Sequence, residues 1–387
     1  MIDRINMNGW INRDDALQRL MVKPQTLYAY VSRGQIRMLP DPSDARRSLY
    51  SAEDVDGVAA RKARGKKPAS IAASSMAWGE PSITTSVSNV HRGRIYYRGV
   101  DAVTLAQQAS LEEAAALLWD VQSAPGFASG TVGWSNAFEA LAAIAANSPP
   151  ILGRGKDNLA REAATIVGQL AQVCGAAPGS RPLHERLAIG WGCGGGIADR
   201  LRQAMVLMAD HDLNASTFAA RVAASTGASQ PACILAGLCT LSGPRHGGAA
   251  EALGAMVADA DRIGAPQAVR LWLSRDRALP GFGHTLYPAG DPRAQSMLQG
   301  LSAPRELQVL ADAVLDQTGA LPNADFAMAV MVKALGLPSL APFRLFLLGR
   351  TIGWCAHIME QNSTGGLIRP RGRYVGVIPY DRSPTDK

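Results

Sequence analysis

From about Leu105 the chain is dominated by long stretches whose apolar residues recur at helical spacing. "DAVTLAQQASLEEAAALLWD", "GWSNAFEALAAIAAN" and "DNLAREAATIVGQLAQV" are examples. Apolar residues three and four apart form a stripe on one face of a helix, and such stripes must pack on one another. Pro149–Pro150, Pro178 and Pro182 punctuate the pattern. Alternating, β-branched stretches are few, so no extensive sheet is expected. Hydrophobic residues make up 47% of the 387 and charged residues 18%, enough to bury a large core. That length suits two or three domains.

The charge is uneven. Residues 1–67 hold 13 Lys and Arg against 8 Asp and Glu, so +5 of the chain's net +7 lies there. In "INRDDALQRLMVKPQTLYAYVSRGQIRML" the pattern predicts two short helices. Asn12 caps the first, Pro24 opens the second and Gly34 stops it. "DARRSLYSAEDV" reads as a wing ending at Leu49–Tyr50, then a third helix capped by Ser51. Residues 9–64 resemble the winged helix-turn-helix of the MerR and excisionase type. That resemblance implies DNA contact through Gln25, Thr26, Tyr28, Tyr30 and Arg33 on the second helix, with Arg46 and Arg47 on the wing. A dimerisation or docking role is the other reading of this module. "ARKARGKKPASIAASSMAWGEPS" then shifts to Ala and Ser with two prolines, the composition of a linker.

Several chemistries lack their signature. The five cysteines form no metal-like spacing, and no HxH or HExxH occurs. No GxSxG elbow marks a hydrolase. "GWGCGGG" has neither a preceding strand nor a Lys-Ser/Thr, so a turn between helices is expected rather than a phosphate cradle. The most apolar helix, "PFRLFLLGRTIGWCAHIM", is interrupted by Arg344 and Arg350. Ionised arginines make spanning a bilayer costly, so a soluble cytoplasmic chain is expected.

Titratable groups gather later. "LMADHDLNAST" holds His211, "GPRHGGAAEAL" holds His246, and "PGFGHTLYPAGDPRA" holds His284 and Arg293. "LPNADFAMAVMVKALGLP" holds Asp325 near a helix start, and "FRLFLLGRTIGWCAHIMEQN" holds Phe346 and Arg350. "GGLIRPRGRYVG" adds Arg371. Each has a plain structural reading, as a cap, a turn or an ion pair. Together they form a kit: a carboxylate to take a proton, neutral imidazoles to donate to developing oxyanions, and guanidiniums to clamp carboxylates.

From Gly93 to Gly376 these motifs resemble, in order and spacing, the citrate synthase family. The resemblance implies a mainly α fold with a large and a small helical domain. It divides the chain into a module at 1–66, a linker at 67–82, a large domain at 83–249 and 338–387, and a small domain at 250–337. It implies condensation of oxaloacetate with acetyl-CoA as co-substrate, without a permanent cofactor or metal. His246, His284 and Asp325 would be catalytic, and His211, Arg293, Phe346, Arg350 and Arg371 would hold oxaloacetate. Arg371 would be donated across a homodimer interface. Three departures stand out. Thr285 and Pro288 occupy positions where the family often has Arg and Lys, and Ala250 stands where Asn is common. A 2-methylcitrate synthase using propionyl-CoA, a citryl-CoA lyase and a DNA-binding metabolite sensor are the alternatives.

Overall fold

The computed structural model describes residues 9–370 and 376, except 23, 33–34, 42–43, 65–82, 129–132, 195, 245, 248 and 276–278. The side chains of 29, 32, 45–46, 60–64 and 249 are likewise outside the description. Two compact units result, residues 1–83 with 370–387, and residues 84–369. The expected linker at 67–82, Gly34, Arg33 and Arg371 lie outside the described residues.

In the first unit, α1 (Arg13–Leu20) starts where Asn12 Oδ1 accepts from the Asp15 N–H at 2.9 Å. Asx side chains satisfy first-turn donors in this way. α2 (Pro24–Ser32) opens on proline, whose missing N–H has no helical partner to lose. β2 (Met38–Asp41) and β3 (Asp44–Ser51) pair antiparallel with Leu39 opposite Leu49, and β1 (Trp10–Ile11) joins the other edge of β3. α3 (Ala52–Arg64) follows. Ala16, Leu20, Leu27, Ile36, Tyr50, Val55 and Val58 form the core.

The second unit begins with a small antiparallel sheet of β4 (Ser88–His91), β5 (Arg94–Tyr97) and β6 (Val100–Asp101). Helices α4 (Ala102–Gln108), α5 (Leu111–Trp119), α6 (Ala137–Ala146), α7 (Lys156–Val173), α8 (Leu183–Gly190) and α9 (Ile197–Leu207) follow. The stretch through residue 119, whose apolar residues recur at helical spacing, forms two helices, with a break between α4 and α5. There Ser110 and Glu113 satisfy each other's backbone donors in a capping box, which starts a new helix. The described residues of the glycine-rich stretch after Gly190 lie in the connection between α8 and α9.

The chain continues through α10 (Ala215–Ser225), α11 (Gln230–Leu241), α12 (Ala249–Ile263), α13 (Ala265–Arg275), α14 (Pro292–Leu298), α15 (Arg305–Thr318), α16 (Ala324–Leu335) and α17 (Ala341–Thr364). Two apolar clusters organise these helices. The larger gathers β4 to α11 with α14 and α17, and the smaller gathers α12, α13 and α15. α16 serves both, with Phe326 and Val330 in the smaller cluster and Ala327, Met328 and Met331 in the larger.

α17 is buried along most of its length. Gly349 and Gly353, one turn apart, let it press on α9 and the turn after it. A Cβ at Gly349 would stand 2.5 Å from the Met205 carbonyl oxygen, and one at Gly353 would collide with that of Ala209. Small residues permit such backbone approach. Among the described residues no helix is long and apolar enough to cross a membrane.

Candidate active site

Five segments of the second unit converge. The turn between α9 and α10 carries Asp210 and His211. The turn after α11 carries His246, and the loop before α14 carries His284, Tyr287 and Asp291. α16 contributes Asp325, and α17 contributes Phe346 and Arg350.

The turn at His211 is anchored from below. Asp210 is fully buried, with its carboxylate accepting from the Ser88 hydroxyl and from His357 Nε2 at 3.2 Å. Arg221 Nη1, an obligate donor, lies 3.2 Å from His357 Nδ1, so that nitrogen accepts and Nε2 carries the hydrogen that reaches Asp210. Burial penalises the Asp210 carboxylate, yet His357 and Arg350 hold its pKa below the ordinary value.

The loop 280–291 owes its path to glycine. Gly281 and Gly283 have φ of +82° and +70°, in the left-handed region. Between them Phe282 forms a β-bridge with Pro322. Gly283 N–H donates to Leu321 O at 2.8 Å, and Asn323 N–H donates to Gly281 O at 2.9 Å. Asn323 also caps α16, accepting from the Asp325 N–H at 3.0 Å. His284 and Asp325 are therefore fixed to one bracket. Asp291 strengthens it by accepting from the Ala324 N–H at 3.1 Å and from Arg293 Nε and Nη2 at 3.0 and 2.8 Å. Burial opposes the charge on Arg293, but this bidentate carboxylate holds its pKa above the ordinary value.

The imidazoles are neighbours. His211 and His284 stand edge to face, with ring centroids 5.0 Å apart. His246 stands edge-on to Phe346 at 5.8 Å, and the Arg350 guanidinium lies over the same Phe346 ring at 4.8 Å. His211 Nε2 lies 2.8 Å from the Tyr287 hydroxyl, and His246 Nε2 lies 2.8 Å from Ser216 Oγ. Trp354 Nε1 also donates to Ser216 Oγ at 3.3 Å.

Burial sets the protonation states. It lowers His246 and His284 to about 4, with Arg350 acting against a charge on the first and Arg293 on the second. His211 falls well below the usual value through burial, then Arg293, Arg350 and the other two imidazoles. All three histidines are neutral at pH 7. Burial raises Asp325 to about 6, with Asp291 adding to the rise while Arg293 and Arg350 oppose it. Arg350 is lowered to about 10 by burial, with Asp210 the main opposing influence. Its Nε donates to Met208 O at 3.0 Å, while its Nη1 is buried without a hydrogen-bond partner among the described residues.

His211, His246, His284, Arg293, Asp325, Phe346 and Arg350 thus gather around one centre. Gln25, Thr26, Tyr28, Tyr30 and Arg47 belong to the other unit. There Gln25, Thr26 and Tyr28 are exposed on α2, Tyr30 packs against the core, and Arg47 pairs with Asp44 at 3.4 Å. The Arg46 side chain is outside the described set. Sequence reasoning did not single out Tyr287, Ser216, Asp291 or Trp354. All four lie in or near the motifs that carry the histidines and Arg350, but neither residue type nor spacing distinguishes them from packing residues.

The family described as "Citrate synthase, C-terminal domain" matches residues 136–371, more than half of the chain. The chain belongs to the citrate synthase family. It is 41% identical over 192 residues to "Putative citrate synthase 2" of Mycobacterium tuberculosis, covering 46% of this chain and 51% of that protein. It is 36% identical over 194 residues to a 2-methylcitrate synthase of the same species, covering 46% and 49%. The chain spans about half the length of the curated relatives it matches. The fold is also that of Thermoplasma acidophilum citrate synthase, solved in a ternary complex with carboxymethyl coenzyme A and oxaloacetate. That likeness has a TM-score of 0.65 at 25% identity, covering 80% of this chain and 98% of that one.

Proposed function

We propose that the chain condenses oxaloacetate with acetyl-CoA, releasing citrate and CoA. The observation that carries this reading is the pairing of a raised carboxyl, Asp325, with neutral imidazoles on separate loops. Asp325 takes a proton from the acetyl methyl group. A methyl beside a thioester is a weak acid, so the charge arriving on the thioester oxygen needs a donor, and one such donor is worth roughly 3–4 kcal/mol. His246 supplies it. Ser216 Oγ, which accepts from Trp354 Nε1 and donates to Asn214 Oδ1 at 2.9 Å, lies 2.8 Å from His246 Nε2 and holds the imidazole in place.

The enol carbon attacks the ketone carbon of oxaloacetate, and the ketone oxygen becomes an alkoxide. His284 Nδ1 accepts from the Leu286 N–H at 3.2 Å, so its hydrogen sits on Nε2, free to donate to that oxygen. His211, Arg293 and Arg350 bind the two carboxylates, with Arg371 of a second copy completing the site in a homodimer. Phe346 walls it. Water then cleaves the thioester and releases the CoA thiol. No permanent cofactor is required. The large domain at 83–249 and 338–387 and the small domain at 250–337 are proposed to close on the substrates and exclude water.

Propionyl-CoA, giving 2-methylcitrate, is the second reading. The similarity to a 2-methylcitrate synthase and the residues Thr285, Pro288 and Ala250 favour it. The element order of the N-terminal module and the exposed Gln25, Thr26 and Tyr28 support a winged helix that contacts DNA. Thiol release with oxaloacetate and either acyl-CoA tests the enzyme reading; oxaloacetate binding without turnover would overturn it. A gel shift at physiological salt tests the module, and binding lost at that salt would leave only nonspecific attraction.

A further inference from the structure

The loop that positions His284 also carries a phenol that the chemistry above leaves idle. Tyr287 is 2% exposed. Its hydroxyl lies 2.8 Å from His211 Nε2, its ring is tilted against His284 at 4.8 Å, and the Arg293 guanidinium lies over the ring at 5.4 Å. One side chain thus touches three groups of the oxaloacetate site.

A buried hydroxyl must place its hydrogen on an acceptor. Among the described residues the Tyr287 hydroxyl has one partner, His211 Nε2. The phenol therefore donates and Nε2 accepts. A neutral imidazole that accepts on one nitrogen carries its hydrogen on the other. Burial supports both protonation states, pushing the phenol up to about 12 and His211 well below its usual value. Among the described residues Nδ1 of His211 has no hydrogen-bond partner of its own.

We infer that Tyr287 is a positioning residue that locks His211 in its Nδ1–H tautomer, so that the ring offers a hydrogen rather than a lone pair to a substrate carboxylate. The inference rests on the reading of this centre as an oxaloacetate site. Without the phenol both tautomers compete, and the Nε2–H form turns a lone pair toward an anion on the Nδ1 side.

Long-range 1H–15N spectra of the 15N-labelled full chain read the tautomer directly, with the His211 signals assigned by their loss in His211→Asn. The wild type is expected to show a protonated Nδ1 and an unprotonated Nε2. Tyr287→Phe keeps the ring on His284 and Arg293 and is expected to show both tautomers. Its KM for oxaloacetate should rise about fivefold, the worth of one net hydrogen bond, with kcat little changed. A protonated Nε2 in the wild type overturns the inference even if the variant does not fold. An unchanged tautomer in a folded Tyr287→Phe overturns it too. If oxaloacetate fails to bind the wild type, the site reading falls, and the wild-type spectrum still decides whether the phenol sets the tautomer.

Discussion

The two units treat arginine in opposite ways. In the N-terminal unit each of the four arginines with a described side chain, Arg13, Arg19, Arg37 and Arg47, faces a carboxylate near the surface. In the other unit Arg186, Arg202, Arg221, Arg293 and Arg350 are buried, and among the described residues neither Arg186 nor Arg350 has a carboxylate within ion-pair distance; Arg186 is held instead by the Ala177 and Phe127 carbonyls. Surface pairs stabilise by about 0–1 kcal/mol and are easily exchanged with solvent. A buried guanidinium without a counter-ion is costly unless carbonyls or an arriving anion stabilise it, and at Arg350 we assign the latter part to the proposed substrate carboxylate. Net charge concentrates in the first unit, while unbalanced charge concentrates in the second. Function follows the imbalance.

Asp325→Ala gives the sharpest test of that contrast. Loss of a general base is worth about 10²–10⁴-fold, so thiol release should fall by that factor with the fold intact by circular dichroism. Turnover within tenfold of wild type would remove Asp325 from the chemistry. Arg350→Leu comes next. It removes charge-assisted bonds to a carboxylate, and roughly 10- to 150-fold weaker oxaloacetate binding is expected by calorimetry. Unchanged affinity would make Arg350 a packing residue and erase the difference between the units.

The pH profile separates the base from the imidazoles. Asp325, raised to about 6, acts only when deprotonated, so kcat/KM should fall about tenfold per pH unit below that value. His246 and His284, near 4, stay neutral through that window. A profile flat down to pH 4.5 would refute the assignment of the limb to Asp325.

Stability measurements complete the comparison. Ala in place of Gly normally favours a helix interior by about 1 kcal/mol. At Gly353 the added methyl meets the Ala209 carbonyl and the Asp210 side chain. Overpacking of this kind costs about 1–3 kcal/mol, so Gly353→Ala should lower the urea midpoint. A raised midpoint would mean that α17 can shift without disturbing His211. Smallest is Arg19→Ala, which loses an exposed pair with Asp56 and should cost under about 1 kcal/mol. A larger loss would show that the module's charges are structural after all.

Much of the helical body was legible because its signals are local. Asn12 capping α1, Pro24 opening α2 and Asn323 preceding α16 are readable from a few residues. The break at Ser110 was readable as well, from the Ser-x-x-Glu spacing, but the apolar pattern across it masked the cap. The histidines and Asp325 could be picked out only as residue types in glycine- and proline-framed segments. Their meeting depends on contacts that cross the chain, such as Gly283 to Leu321 and Asp291 to Ala324. The tautomers of His284 and His211 were beyond reach of sequence, since each is set by one partner: Leu286 for His284, Tyr287 for His211.

The β-bridge between Phe282 and Pro322 gives the centre a mechanical grain. His284 and Asp325 are bolted to the same plate, whereas His211 and Phe346 are mounted on another. Any shift of this plate against the other alters the gap between these pairs and leaves the spacing within the plate alone.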